Sequence, residues 1–140
     1  MARRSRDVPP GFLPVAPRNP FAKLLGPIYE KTDDEGFRHG FRVSDKHLNA
    51  AGIAHGGMLM TFADILMGQA IRRSDAFPAV TVRMTTDFTA PARLGDWVDG
   101  TGRTTRVTRS MVFVEAEIAV NGRLSLTANG LFQRLGRRHG

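Results

Sequence analysis

No cysteine occurs in the 140 residues. That absence excludes a disulfide framework, a thiolate nucleophile and any cysteine-built zinc site. Long apolar runs are missing too: none approaches the roughly 20 residues that a membrane-spanning helix needs. The opening MARRSRDVPPG has arginines with no apolar segment behind them, so it does not read as a secretory signal, and the sequence reads as cytoplasmic. Composition is otherwise ordinary for a globular protein, and the length suits one domain with a single core.

Positive charge is present in excess, +7 overall, but it sits at the ends. Residues 1–20 carry Arg3, Arg4, Arg6 and Arg18 against Asp7, a net +3. Residues 133–140 add Arg134, Arg137 and Arg138, another +3, which leaves +1 for the body. A nucleic-acid face needs aromatic side chains among its cations, and the tails offer only Phe12 and Phe132 at their inner edges. Neither nucleic acid nor membrane is therefore expected as a partner. The expected organisation is a basic, proline-rich extended arm over 1–20, a folded body over 21–132 and a basic tail over 133–140.

Within the body, Phe21 to Leu25 suits one helical turn ended by Gly26-Pro27. Ile28 to Lys31 and Phe37 to Val43 read as a hairpin about the polar turn 32–36. Four further strands follow a central helix: Ala79 to Phe88, Trp97 to Val107, Met111 to Val120 and Arg123 to Phe132. The Asn121-Gly122 pair between the last two is the favoured type I′ hairpin turn. Val112, Val114, Ala116, Ile118 and Val120 alternate with Phe113, Glu115 and Glu117, giving one dry and one wetter sheet face. The expectation is an α+β fold, a curved antiparallel sheet of about six strands around one helix.

That helix is the centre of the argument. From Met58 to Ile71 its apolar residues cover nearly every face, and Thr61, Asp64 and Gly68, spaced i, i+3, i+7, share the one narrow exception. An ionisable group there needs a reason, because desolvating a carboxylate is costly. Asp64 is either a structural group held by a hydroxyl such as Thr61, or a general base or nucleophile. Gly56-Gly57 stand at the helix N-terminus, where the first N–H groups lack intrahelical partners. They serve helix entry, or they let a substrate oxygen approach those donors.

Gly56 and Asp64 are eight residues apart, on the order of 12 Å along a helix at about 1.5 Å per residue. One reacting carbonyl needs both groups within roughly 3 Å of its reacting atoms. If both act on one substrate, Asp64 must come from a second subunit whose helix runs antiparallel about a twofold axis. Asn49, able to orient water or a carbonyl, and His55, able to donate or to fix the loop, precede the helix. A zinc site from His47, His55 and Asp64 matches no compact ligand spacing.

The stretch Asn49-Ala-Ala-Gly52-Ile-Ala-His55-Gly56-Gly57, with Asp64 seven residues after Gly57, resembles the N-x-x-G-x-x-H-G-G-x(6)-D signature of the PaaI-like acyl-CoA thioesterases of the hotdog-fold superfamily. The resemblance runs from about Phe21 to Phe132. It implies a homodimer, commonly paired into a tetramer, hydrolysing acyl-CoA to free acid and coenzyme A with no metal or redox cofactor. By that resemblance Asp64 attacks or activates water, the Gly56 N–H forms the oxyanion hole, and Asn49 with His55 positions the reactants. Thr81 takes the place of a strand hydroxyl that contacts the water. Gly57 is a further expected substrate-binding residue, and Phe88, Arg93, Arg106 and Arg109 fall where the family tends to hold the pantetheine arm and the nucleotide phosphates, for which arginine is suited. Met58, Met60, Phe62, Met67 and Phe88 are expected to shape the acyl pocket. Two alternatives share the resemblance: a hotdog hydratase or dehydratase, and a non-catalytic acyl-CoA sensor.

Overall fold

The computed structural model describes residues 8–136. Seven strands form one antiparallel sheet: β1 (Leu13–Pro14), β2 (Tyr29–Asp33), β3 (Gly36–Arg42), β4 (Ala79–Phe88), β5 (Trp97–Val107), β6 (Met111–Val120) and β7 (Arg123–Arg134). Their spatial order is β1-β2-β3-β5-β6-β7-β4. A short helix α1 (Pro20–Leu25) follows β1, and the long helix α2 (Gly56–Arg72) separates β3 from β4.

The seventh strand is β1, where Leu13 and Pro14 pair with Glu30 and Tyr29. Proline is tolerated there because the strand is an edge. Thus the inner part of the arm lies along the sheet, with Phe12 edge-on to Trp97 at 5.1 Å. Helix α1 starts where Asn19 Oδ1 accepts the Ala22 N–H at 2.8 Å, with Pro20 in the first turn. At the other end β7 continues to Arg134, beyond the expected boundary at Phe132. Arg134 donates to the backbone oxygens of Thr108 and Asp75, so it belongs to the body and not to a tail. Residues 1–7, with Arg3, Arg4 and Arg6, and residues 137–140 lie outside the described part.

Helix α2 packs on β5, β6, β4 and β7, and one helix touching four strands requires a curled sheet. Phe62, Leu66 and Met67 are fully buried, and Phe62 meets Phe41 edge-on at 4.8 Å. Two strand glycines set the close approach. A Cβ on Gly102 would stand 2.9 Å from the Leu66 carbonyl oxygen, and one on Gly130 would strike Met67 Sδ. Between β6 and β7, Asn121 and Gly122 have φ of 48° and 82°, the left-handed pair that a type I′ turn demands.

The helix is not buried all round. The strip carrying Met60, Thr61, Asp64 and Gly68 is left partly open, beside the edge strand β4. Val80 and Val82 of β4 are also exposed, at 46% and 54%. A sheet edge and a helix strip, both with apolar side chains in water, therefore lie next to each other.

Candidate active site

Asp64 projects from the open strip of α2, half-buried, and its Oδ1 accepts a 2.6 Å hydrogen bond from the Thr81 hydroxyl of β4. Thr61 is not the partner: its hydroxyl donates back along the helix to the Gly57 carbonyl oxygen at 2.8 Å. Pairing of β4 with β7 slips between Thr81 and Arg83, so Val82 is an extra residue in a bulge. Bulges redirect neighbouring side chains, and this one sits beside the residue that reaches Asp64.

The loop before α2 is built by polar side chains acting on backbone. Asn49 Oδ1 accepts the N–H groups of Ala51 at 2.9 Å and Ile53 at 3.3 Å, which fixes the orientation of its amide. Its Nδ2 has no partner among the described residues and is left to donate elsewhere. His55 caps the helix, its Nδ1 accepting the Gly57 N–H at 2.8 Å. A neutral ring in this role carries its proton on Nε2, which is outward and free to donate. The cap takes the Gly57 N–H and leaves the Gly56 N–H without an acceptor among the described residues. The Phe88 ring lies beside Gly56, 3.5 Å from where a Cβ would be.

Two further histidines are hydrogen-bonded into the frame. His47 is buried; its Nδ1 accepts the Ser44 N–H at 3.0 Å and its Nε2 donates to the Leu25 carbonyl oxygen at 2.7 Å. His39 Nε2 meets Glu30 Oε2 at 2.6 Å. Burial pulls both imidazoles below the usual histidine pKa, against the opposing pull of Glu30 on His39 and of the Leu25 carbonyl on His47.

The structure gathers the expected residues into separate groups within one chain. Asp64 and Thr81 form one; Asn49, His55, Gly56, Gly57 and Phe88 form another at the helix N-terminus. Arg93 joins the second, because its backbone bridges Ile53 and its N–H is held by Asp96 Oδ2 at 2.8 Å. Arg106 and Arg109 do not join it. They sit in or beside the β5–β6 turn, which Arg134 ties to Asp75 beyond the other end of α2.

The expected acyl pocket needs correction. Met58, Phe62 and Met67 are buried in the core against the sheet, and only Met60 and Phe88 of that set are exposed. The open space beside Asp64 lies instead under the arm and α1. One cavity of about 580 Å³ is bounded by Val15 to Asn19, Ile28, Asp64, Gly68 and Arg72 among others. A second of about 440 Å³ lies between Phe21, Met60, Asp64 and Thr81. Sequence reasoning missed Arg18, Gln69 and Arg72. For Arg72 a signal existed, since Thr61, Asp64, Gly68 and Arg72 continue one helical strip; for the arm there was none.

A long helix held in a curled antiparallel sheet defines the hotdog class. The sequence pattern described as the thioesterase superfamily matches residues 51–127. The chain belongs to that superfamily. It is 36% identical over 129 residues to a Pseudomonas aeruginosa protein named a "putative esterase", covering 90% of this chain and 96% of that one. It is 27% identical over 90 residues to human acyl-coenzyme A thioesterase 13, covering 64% of each. The Escherichia coli PaaI protein from the phenylacetic acid degradation operon superposes with a TM-score of 0.75 at 26% identity, covering 85% of this chain and 86% of that one.

Proposed function

We propose that this protein hydrolyses an acyl-CoA thioester to a free acid and coenzyme A, at a site shared between two copies of the chain. The observation that carries the reading is the Asp64–Thr81 pair facing open space, with Asp64 on the same helix as the unpartnered Gly56 N–H. The human relative is named for the same activity. In this reading Asp64 activates a water, or attacks the carbonyl carbon itself, while the Thr81 hydroxyl fixes the carboxylate that does so. The Gly56 N–H of the opposite copy receives the carbonyl oxygen as it becomes negative. The C–S bond then breaks, coenzyme A leaves as the thiol, and water supplies the acid's hydroxyl and the thiol's proton.

Two copies are required because Gly56 and Asp64 of one helix stand about 12 Å apart along the axis. The exposed Val80 and Val82 on the edge strand, beside the open strip of α2, suit a twofold partner that continues the sheet and lays its helix antiparallel. Two such dimers pairing into a tetramer is the assembly the family resemblance implies. Asn49, through its free amide, and His55, through Nε2, act beside Gly56, with Gly57 holding the cap. Phe88 and Arg93 border the same end and receive the pantetheine arm. Arg106 and Arg109 of the β5–β6 turn bind nucleotide phosphates from a different part of the assembly, since one chain does not bring them to Gly56.

The test is thiol release from a panel of short, medium, long and aryl acyl-CoA esters by the native protein and Asp64→Asn. Hydrolysis that disappears in Asp64→Asn supports the reading. Hydrolysis unchanged by the substitution removes Asp64 from it, and no hydrolysis by native protein removes the activity.

A further inference from the structure

Gly68 lies one helical turn beyond Asp64, in the interior of α2, where glycine costs about 1 kcal/mol relative to alanine. Packing within the chain does not demand it, for a Cβ there would meet nothing within 4 Å. Unlike Gly102 and Gly130, it faces empty space, the 580 Å³ cavity. Glycine at this position leaves the cavity floor open next to the reacting carboxylate.

The cavity lining is largely apolar and includes three cations. Val15, Ala16, Pro17, Ile28, Ile65 and Ala79 supply apolar walls, whereas Arg18, Lys23 and Arg72 supply three cations. Asp64 is the only carboxylate among the lining residues, and it marks the reaction end. Arg72 is eight residues after Asp64, on the order of 12 Å further along the helix. Its guanidinium stacks over the Phe77 ring, 4.2 Å from the centroid, which holds it at the wall while leaving its edge donors free. Neither Arg72 nor Arg18 has an acidic partner among the described residues. Arg18 and the buried His39 line this same cavity.

A chain lying on Gly68 from Asp64 toward Arg72 has a largely apolar lining beside it and meets a cavity border that carries the guanidiniums of Arg72 and Arg18. A methyl terminus would strip water from those cations without replacing it, whereas a carboxylate would pair with them. We propose that this cavity is the acyl subsite and that its occupant is a medium-length acyl chain ending in a carboxylate, bound at that end by Arg18 and Arg72. The proposal rests on the thioesterase reading and adds the substrate class.

The experiment compares kcat/KM for adipyl-CoA and hexanoyl-CoA, of equal chain length, in the full-length protein, in Arg18→Gln, in Arg72→Gln and in the double variant. The expected result is a native preference for adipyl-CoA of about tenfold or more that falls toward one in the double variant. Equal rates in the native protein, or a preference for hexanoyl-CoA, overturn the proposal and leave the thioesterase standing. Loss of both rates in equal proportion overturns it too, since the arginines would then serve the coenzyme A phosphates. If neither ester is hydrolysed the activity falls, and the subsite is read separately by titrating the native and double-variant proteins with adipate and with hexanoate. Adipate binding that needs the arginines supports the subsite; binding of neither acid, or of both alike, overturns it.

Discussion

Thr81 and Asp64, 17 positions apart on different elements, are joined by a 2.6 Å hydrogen bond in which the hydroxyl donates to Oδ1. The bond leaves the second carboxylate oxygen unconstrained by Thr81 and sets the plane of the group. Asp64→Asn is expected to lower kcat by about 10²- to 10⁴-fold, the usual worth of a general base. Thr81→Ala is expected to cost about tenfold, roughly 1.4 kcal/mol of barrier, and Thr81→Ser to restore most of it. Initial rates of thiol release check all three, with the unfolding midpoint as a control for folding.

Mixing two inactive proteins tests the shared site. In a heterodimer of Asp64→Asn and Asn49→Ala chains, one site combines both defects and the other has none. The heterodimer is expected to recover about half of the native activity per dimer, as twofold symmetry requires. No recovery after denaturation and remixing, with heterodimers confirmed by mass, would mean that Asn49 and Asp64 act within one chain.

His55 offers a separation of capping from chemistry. His55→Ala removes the acceptor of the Gly57 N–H and is expected to cost about 1 kcal/mol of stability, read as a lower urea midpoint. His55→Asn supplies a capping oxygen and is expected to regain the midpoint. If activity returns with the cap, the ring acts by holding the loop; if only stability returns, Nε2 acts on the substrate.

Stability should fall as the solution is acidified from neutrality. His39 and His47 have pKa values lowered by burial, so between their folded pKa values and the ordinary value near 6.5 the unfolded chain binds more protons than the folded one. Stability is therefore full above about pH 6.5 and is lost as pH drops through that window. For His47 the reason is visible, because protonated Nδ1 would point a hydrogen at the Ser44 N–H. Thermal midpoints at successive pH values are expected to decline on the acid side, and less steeply in His47→Gln.

The edge strand gives the assembly test. Val82→Lys places a charge on the exposed bulge residue of β4 and is expected to shift the species in solution toward monomer. Sedimentation reads the mass, and thiol release is expected to fall with it. A full-mass, fully active Val82→Lys protein would remove this edge from the interface.

Most of the fold was legible because its signals are local. The alternation along β6, the Asn121-Gly122 turn and the apolar run of α2 each lie within a few residues, and four of the later strands begin where the sequence places them. Even the separation of Gly56 from Asp64 follows from helix geometry alone. Other features depended on contacts that the sequence does not encode locally. Leu13 and Pro14 become a strand only because β2 offers an edge, and Thr81 becomes Asp64's partner only because β4 lies beside α2 with a bulge at Val82. Met58, Phe62 and Met67 looked like pocket residues and are core, since the sheet closes over that side of the helix. By itself, the sequence determined the hotdog elements and the residue types of the candidate site. The tertiary structure alone decided which helix face stayed open, what covers it, and that Arg18 from the arm and Arg72 from the helix border one cavity, because burial and long-range pairing are properties of the packed chain.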